Sequence, residues 1–530
     1  MKNLVLASTG LALALTLTAC NQQSEAADND AATQTDSVKA NTAPLAAPIN
    51  DDPWAEIAEQ TLAKNLAKKP ITSGARNVIL FIGDGMDPTT VTAGRIYDGQ
   101  DKGMKGEENV LAMESLPHLA LSKTYSASSQ TPDSAATATA MMTGTKTRSG
   151  VLNVRDSVPV GDCEAGLAGA IPSLGEMAAK ANMAVGVVST ARLTHATPAT
   201  VYAHSASRGW ENDANLPDSA PCKDIASQLL EFSYGDGIAV AMGGGRRNFL
   251  PANLLDPEYA NKKGSRKDGR NLTEEWLEHN PGGAYVWNEE QFAALPASTT
   301  KLLGLFEPSH MQYELDRPQD GAGEPSLADM TAKAIDILAK DEDGFFLMVE
   351  GGRIDHAHHA GNAARALADL QAFDEAVAIA LEKVDLSDTL IIVTADHGHT
   401  ISFGGYPQRG NPILGVVVST NPDGSPASEP YKASDGKAYT TLTYANGPGA
   451  LFGGGDTPVT RPDVTMEEAH DPDYMQQALI PSRSETHGGQ DVIIFAGGPD
   501  AYLFDGVVEQ NYIFHVMEHA LGLKERLGEE

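Results

Sequence analysis

The 530-residue sequence predicts an α/β fold: a mostly parallel central sheet flanked by helices on both faces, with one insertion. Three observations predict it. Short apolar runs alternate with helical stretches, which is the pattern of a parallel sheet covered by helices. Carboxylates follow three of those runs closely, and in such sheets ligands gather outside the carboxyl ends of the strands. Residues 401–482 break the pattern with Gly, Pro, Asn and short Thr/Tyr strands such as 438–444, and read as an insertion or subdomain.

The chain opens with Lys2 and an apolar run, Leu4 to Leu17, too short to span a bilayer as a stable helix. The run ends in Leu17-Thr18-Ala19-Cys20. That string resembles the lipobox of bacterial lipoproteins, in which the cysteine is lipidated; an ordinary signal peptide with a chance cysteine is the alternative. The expectation is a signal peptide over residues 1–19, lipidation of Cys20, a flexible tether over 20–50 and one main domain over 51–530. The protein is expected to be exported and anchored to a bacterial membrane through that lipid, with Asn21 compatible with the outer membrane. No second segment is apolar enough to cross a bilayer. Trp54, Ile57, Ala58, Leu62 and Leu66 recur at helical spacing and predict an amphipathic helix over 54–68. The predicted strands follow at Val78–Ile82, Val185–Val188, Ile238–Met242, Phe345–Val349, Leu390–Val393 and Val492–Phe495.

Composition narrows the partners. Asp and Glu number 71 against 38 Lys and Arg, a formal net charge of −33. Such a surface repels nucleic acid and anionic headgroups, so neither is expected as a partner. The acidity reads as adaptation to a salty medium. It would also repel an anionic substrate, so any phosphate site needs local positive charge from metals and a few arginines. Beyond Cys20 the cysteines are Cys163 and Cys222. In an exported chain this pair suggests a disulfide, with two buried thiols as the alternative.

The chemistry sits at the strand ends. Asp84 follows the first run, Glu350 the fourth, and Asp396 and His397 the fifth. One acid after a strand is usually a turn or cap residue. Three acids at one edge repel each other unless cations neutralise them. In Glu350-Gly-Gly-Arg-Ile-Asp355-His356-Ala-His358-His359, Asp355 and His359 share a face if the segment is helical. Carboxylate with imidazole suits Zn²⁺, and Glu350 suits Mg²⁺. The glycines at 351 and 352 are expected to let the backbone turn sharply. His487, in Glu485-Thr486-His487, precedes another strand and is weak taken alone. Pro132-Asp133-Ser134, followed by an alanine-rich run, reads as a helix start, with Ser134 either a cap or a metal-activated nucleophile. Thr197 offers a hydroxyl to a hard ion, and Arg208 a planar fork for phosphate oxygens. Gly243-Gly244-Gly245 lacks the spacing of a phosphate loop and reads as a tight turn.

Together these strings resemble the alkaline phosphatase family, closer to its animal-type than its enterobacterial branch, from about Trp54 to near the C-terminus. The resemblance implies hydrolysis of phosphate monoesters through a phosphoserine on Ser134, with Arg208 binding phosphate. It implies one zinc on Asp355, His359 and His487, a second on Asp84, Asp396 and His397, and magnesium on Asp84, Glu350 and Thr197. It implies a calcium on Glu258, the Phe306 carbonyl, Glu307 and Glu324, where Glu324 replaces a family aspartate. It further implies a Cys163–Cys222 disulfide, a crown subdomain at 401–482 and a homodimer aided by the helix at 54–68. His195 and His356 stand near magnesium where the enterobacterial branch has aspartate and lysine, which implies looser magnesium retention and a more alkaline optimum. A neutral optimum without magnesium stimulation would contradict this. A sulfatase would need a Cys/Ser-x-Pro-x-Arg segment, whereas Ser134 is followed by alanines, and a phosphodiesterase would more typically use threonine. A non-catalytic metal- or phosphate-binding lipoprotein is the reading from another class, and every expected ligand argues against it.

Overall fold

The computed structural model describes residues 53–451 and 460–528. The expected signal peptide, Cys20 and the tether lie outside the described residues. The helix Pro53–Ala67 belongs to a unit of its own and buries none of its side chains; Trp54, Ile57, Leu62 and Leu66 are exposed. Among the described residues no helix is long and apolar enough to cross a membrane.

The strands are β1 (Asn77–Gly83), β2 (His118–Lys123), β3 (Ala184–Arg192), β4 (Ile238–Gly244), β5 (Ala284–Val286), β6 (Leu302–Leu305), β7 (Phe345–Gly351), β8 (Thr389–Ala395), β9 (Gly398–His399), β10 (Ile401–Phe403), β11 (Leu442–Gly447), β12 (Ala478–Pro481), β13 (His487–Gly488), β14 (Val492–Gly497) and β15 (Val507–Glu509). Ten of them form one sheet in the order β15-β2-β14-β8-β1-β7-β3-β4-β6-β5. The six runs read from sequence are β1, β3, β4, β7, β8 and β14. The first five pair in parallel, while β14 is antiparallel to both neighbours, β8 and β2.

The six-run reading missed β2, β5, β6 and β15 because these strands are short or half-polar. In β2, for example, Leu119 is exposed and only alternate residues are buried. The central strands are apolar on both faces because each face carries its own core. Val78, Leu80 and Ile82 pack with residues of the helices Ser134–Thr143, Leu174–Lys180 and Tyr512–Ala520. Ile79 and Phe81 point the other way, toward the helices Leu327–Leu338 and Ala363–Lys383.

The described residues between 401 and 481 leave this sheet. There β10, β11 and β12 form a separate three-stranded sheet. Cys163 and Cys222 are disulfide-bonded, with Cα atoms 5.7 Å apart.

Candidate metal centre

Four adjacent strands, β8, β1, β7 and β3, deliver the site. Asp84 follows β1, Glu350 lies at the end of β7, Asp396 and His397 follow β8, and Thr197 sits in the helix Ala196–Ala199 just beyond β3. Because β14 is antiparallel, its leading residues, with His487 in β13, start from the same edge. That explains why a histidine before a strand joins acids that follow strands. Asp355 and His359 share the helix Arg353–His359.

Local backbone explains several of these placements. Gly85 takes φ +72°, and a Cβ there would come within 2.4 Å of the His399 ring, so the turn after Asp84 requires glycine. Gly351 and Gly352 differ from the expectation. Gly352 has φ −74°, and neither glycine is left-handed. They are needed for close packing instead: a Cβ on Gly351 would meet the Phe373 ring, and one on Gly352 would meet Ala191, at 2.8 Å in each case. Gly245 does make the expected tight turn, with φ +99°.

Asp355 Oδ1 lies 3.3 Å from Nε2 of both His359 and His487, and the two nitrogens are 3.1 Å apart. Ligand atoms about 2.0–2.1 Å from a tetrahedral zinc ion sit roughly 3.3 Å from one another, so this triangle suits one face of such a site. His359 Nδ1 donates to the Glu485 carbonyl at 2.6 Å and His487 Nδ1 to the Pro132 carbonyl at 2.8 Å, which leaves both Nε2 lone pairs free to bind metal. Beside this triangle, His397 Nε2 lies 3.3 Å from Asp84 Oδ1 and 3.3 Å from Asp396 Oδ2. The Ser134 hydroxyl is 3.1 Å from the same nitrogen and 3.4 Å from Asp84 Oδ1. Ser134 is the first residue of the helix Ser134–Thr143, capped by Asp133, so its hydroxyl sits at the positive end of the helix dipole.

A third set is made of oxygens. Asp84 Oδ2, Thr197 Oγ1 and Glu350 Oε1 are all buried without a hydrogen-bond partner. Orphaned buried acceptors are costly, and a divalent cation would satisfy such acceptors; Asp84 and Glu350, with His195, lie close enough together to hold one. Ser189 donates to the other Glu350 oxygen. The electrostatics agree. Burial and the neighbouring Asp396 push Asp84 well up, and burial raises Glu350 to about 8. Asp355 behaves differently: burial would raise it, but the His399 and His487 imidazoles beside it hold it well below the usual carboxylate range. Burial pushes His397 well below the ordinary imidazole value, in keeping with a neutral ligand.

Arg208 stands at the rim, with Nη1 3.0 Å from Asp133 Oδ2 and Nη2 3.1 Å from His195 Nε2. His195 and His356 have ring centroids 5.6 Å apart, and His310 joins them at 5.4 Å and 3.9 Å. Burial lowers His356 to about 3. A separate cluster brings Glu258, Glu307 and Asp320 together. Beside it, Glu324 is buried with Oε2 unpartnered, and burial raises its carboxyl to about 8. The Phe306 carbonyl already accepts from Arg246 at 3.1 Å.

Sequence reasoning missed several functional neighbours. His399 bridges two carboxylates, 2.9 Å from Asp355 and 2.6 Å from Glu485, and they raise it to about 10 against its burial. Glu485 stood inside a string already singled out and His399 lies two residues beyond His397, and only their orienting role was unread. Asp133 holds Arg208 as well as capping its helix. Nothing in the sequence pointed to His310 or Asp320.

The profile of the family described as alkaline phosphatase matches residues 75–523. The chicken tissue-nonspecific alkaline phosphatase is 44% identical over 479 residues, covering 88% of each chain. The human tissue-nonspecific isozyme is 42% identical over 486 residues, covering 90% of this chain and 89% of its own. Among solved structures, the alkaline phosphatase of Thermus thermophilus aligns with a TM-score of 0.60 at 25% identity, covering 88% of this chain and 95% of its own. That of the Antarctic bacterium TAB5 aligns with a TM-score of 0.57 at 24% identity, covering 85% and 99%.

Proposed function

The chain belongs to the alkaline phosphatase family, and from that premise we propose how its residues divide the hydrolysis of phosphate monoesters among themselves. Ser134 is the nucleophile. The observation that carries this assignment is its hydroxyl, 3.1 Å from His397 Nε2 and 3.4 Å from Asp84, at the N-terminus of a ten-residue helix. Metal ions held beside it by Asp84, Asp396 and His397 would supply the positive charge that favours its ionised form and neutralises phosphoryl oxygens.

Ser134 Oγ attacks phosphorus as the ester P–O bond breaks. The alcohol leaves, taking up a proton, and phosphoserine remains. Water then attacks the same phosphorus, releasing inorganic phosphate and restoring the hydroxyl. Arg208 clamps two phosphate oxygens with its planar fork, steered by Asp133. The backbone N–H groups at the helix start face the same anion.

The ligand sets follow from the donor chemistry. Asp355, His359 and His487 form a zinc set, as do Asp84, Asp396 and His397. Asp84, Glu350 and Thr197 offer only oxygen, which suits magnesium. Glu258, Glu307 and Asp320 form an all-oxygen cluster, which with Glu324 and the Phe306 carbonyl supports the calcium reading. The small β10–β12 sheet is read as the crown-type subdomain. The exposed Trp54, Ile57, Leu62 and Leu66 support a role for their helix in a homodimer. The lipobox-like string ending at Cys20 supports an exported, lipid-anchored enzyme.

Hydrolysis of p-nitrophenyl phosphate tests the assignment. EDTA and, separately, Ser134→Ala are each expected to abolish it. Full activity after Ser134→Ala would refute the nucleophile.

A further inference from the structure

Strand β11 of the small sheet touches every chain segment that carries the first zinc set. Tyr444 and Asn446 are two residues apart on it and so share one face. The buried Tyr444 hydroxyl lies 2.7 Å from His358 Nδ1, and His358 Nε2 lies 3.1 Å from the Thr90 hydroxyl. His358 sits between Asp355 and His359 on their short helix. Asn446 makes a reciprocal pair with Thr486: its Nδ2 donates to the Thr486 hydroxyl at 2.9 Å, and its Oδ1 accepts from the Thr486 backbone N–H at 3.0 Å. Thr486 is the residue immediately before His487. Between these two contacts, the Ala445 N–H donates to the Thr400 carbonyl at 3.1 Å, next to His399. One strand therefore fixes the segments around 355–359, 397–400 and 485–487 relative to one another.

We propose that Tyr444 and Asn446 are positioning residues for the first zinc set, so that the small sheet acts as a clamp on Asp355, His359 and His487. This rests on the ligand reading above. The physical reason is the spacing of the ligands. His487 and His359 come from distant parts of the chain and must hold their nitrogens about 3 Å apart. The His487 ring is fixed at Nδ1 by the Pro132 carbonyl and its backbone pairs with His399, while the Asn446 amide holds Thr486, the residue before it. Loss of that amide removes one restraint on the segment, beside the His487–His399 pairing and the Glu485 N–H to His359 carbonyl bond, without touching any ligand.

The test measures zinc release from the holoenzyme into excess chelator, followed with a zinc-sensitive dye, alongside kcat, KM and thermal unfolding. Orienting partners of metal ligands typically change metal affinity about 10–100-fold on removal. Asn446→Ala is expected to speed release of one zinc class by about tenfold or more. Asn446→Asp keeps the oxygen that accepts from Thr486 and is expected to restore nearly the parent rate. Tyr444→Phe is expected to speed the same class. If that buried variant does not fold, the half-exposed Asn446 pair still decides. Parent-like release from Asn446→Ala would overturn the proposal, and so would release from Asn446→Asp as fast as from the alanine variant. His487→Ala separates the two levels: a protein that keeps its full zinc complement after that change refutes the ligand reading itself.

Discussion

His359 and His487, 128 positions apart in the chain, place their Nε2 atoms 3.1 Å from each other. Each ring donates its other nitrogen to a backbone carbonyl, so two lone pairs are turned toward a common point. Two acceptors approach this closely only when something positive lies between them or one of them is protonated. Residues acting on one ion do not contribute additively. His359→Ala and His487→Ala are therefore each expected to remove most activity and the same zinc equivalent, and the double variant to lose little more. Metal content measured on the three proteins checks this, and independent losses would separate the two histidines.

Glu485 is expected to matter without touching metal or substrate. It accepts from His399 at 2.6 Å, and His399 in turn bonds Asp355 at 2.9 Å. With a carboxylate on each side the imidazole carries both protons, which is why it sits near 10. Glu485→Gln removes one charge and unlocks the ring that orients Asp355. The expected result is zinc affinity lower by about 10–100-fold, with far-UV circular dichroism unchanged. Competition against a chelator of known affinity measures it.

Arg208 is held in place by Asp133 before any phosphate arrives. A charge-assisted contact of this kind is worth about 1.5–3 kcal/mol, so Arg208→Ala is expected to lower kcat/KM by roughly 10–150-fold. Inhibition by inorganic phosphate should weaken in parallel. Arg208→Lys keeps the charge but not the fork and is expected to recover only part of the loss.

Asp369 gives a pH prediction away from the catalytic residues. It is buried on the helix Ala363–Lys383, accepts from the Glu314 N–H at 3.2 Å, and burial raises it from 3.8 to about 8. Between those values the unfolded chain has lost this proton and the folded chain keeps it. The folded state binds more protons there, so stability falls as pH rises, by at most about 1.4 kcal/mol per pH unit. Asp369→Asn is expected to flatten the fall between about pH 4 and 8 and to raise the melting temperature at pH 8. Parallel melting curves for parent and variant would contradict this.

The sheet and its metal edge were legible because both depend on local pattern. β1, β7 and β8 are apolar on both faces, and an acid that follows such a strand stands out against it. His487 was harder to place, because the strand that follows it, β14, runs antiparallel and only the strand order brings it to the same edge. The orienting residues were less legible still. His399 and Glu485 lie in conspicuous strings, but a bridge between residues 86 positions apart leaves no periodic trace. His310 and Asp320 reach their clusters through irregular segments, where sequence spacing carries no information about distance. β2 and β15 were missed for the opposite reason: at the sheet margin they bury too little to look like core strands.

The central claim is that phosphate passes through Ser134, and acid quenching tests it most directly. The holoenzyme is incubated with labelled inorganic phosphate at mildly acidic pH, denatured in acid and digested, and the labelled peptide is identified. The account predicts one covalent phosphate, on the peptide carrying Ser134, absent from Ser134→Ala and from metal-stripped protein. Label on another residue, or steady turnover by Ser134→Ala, would contradict it.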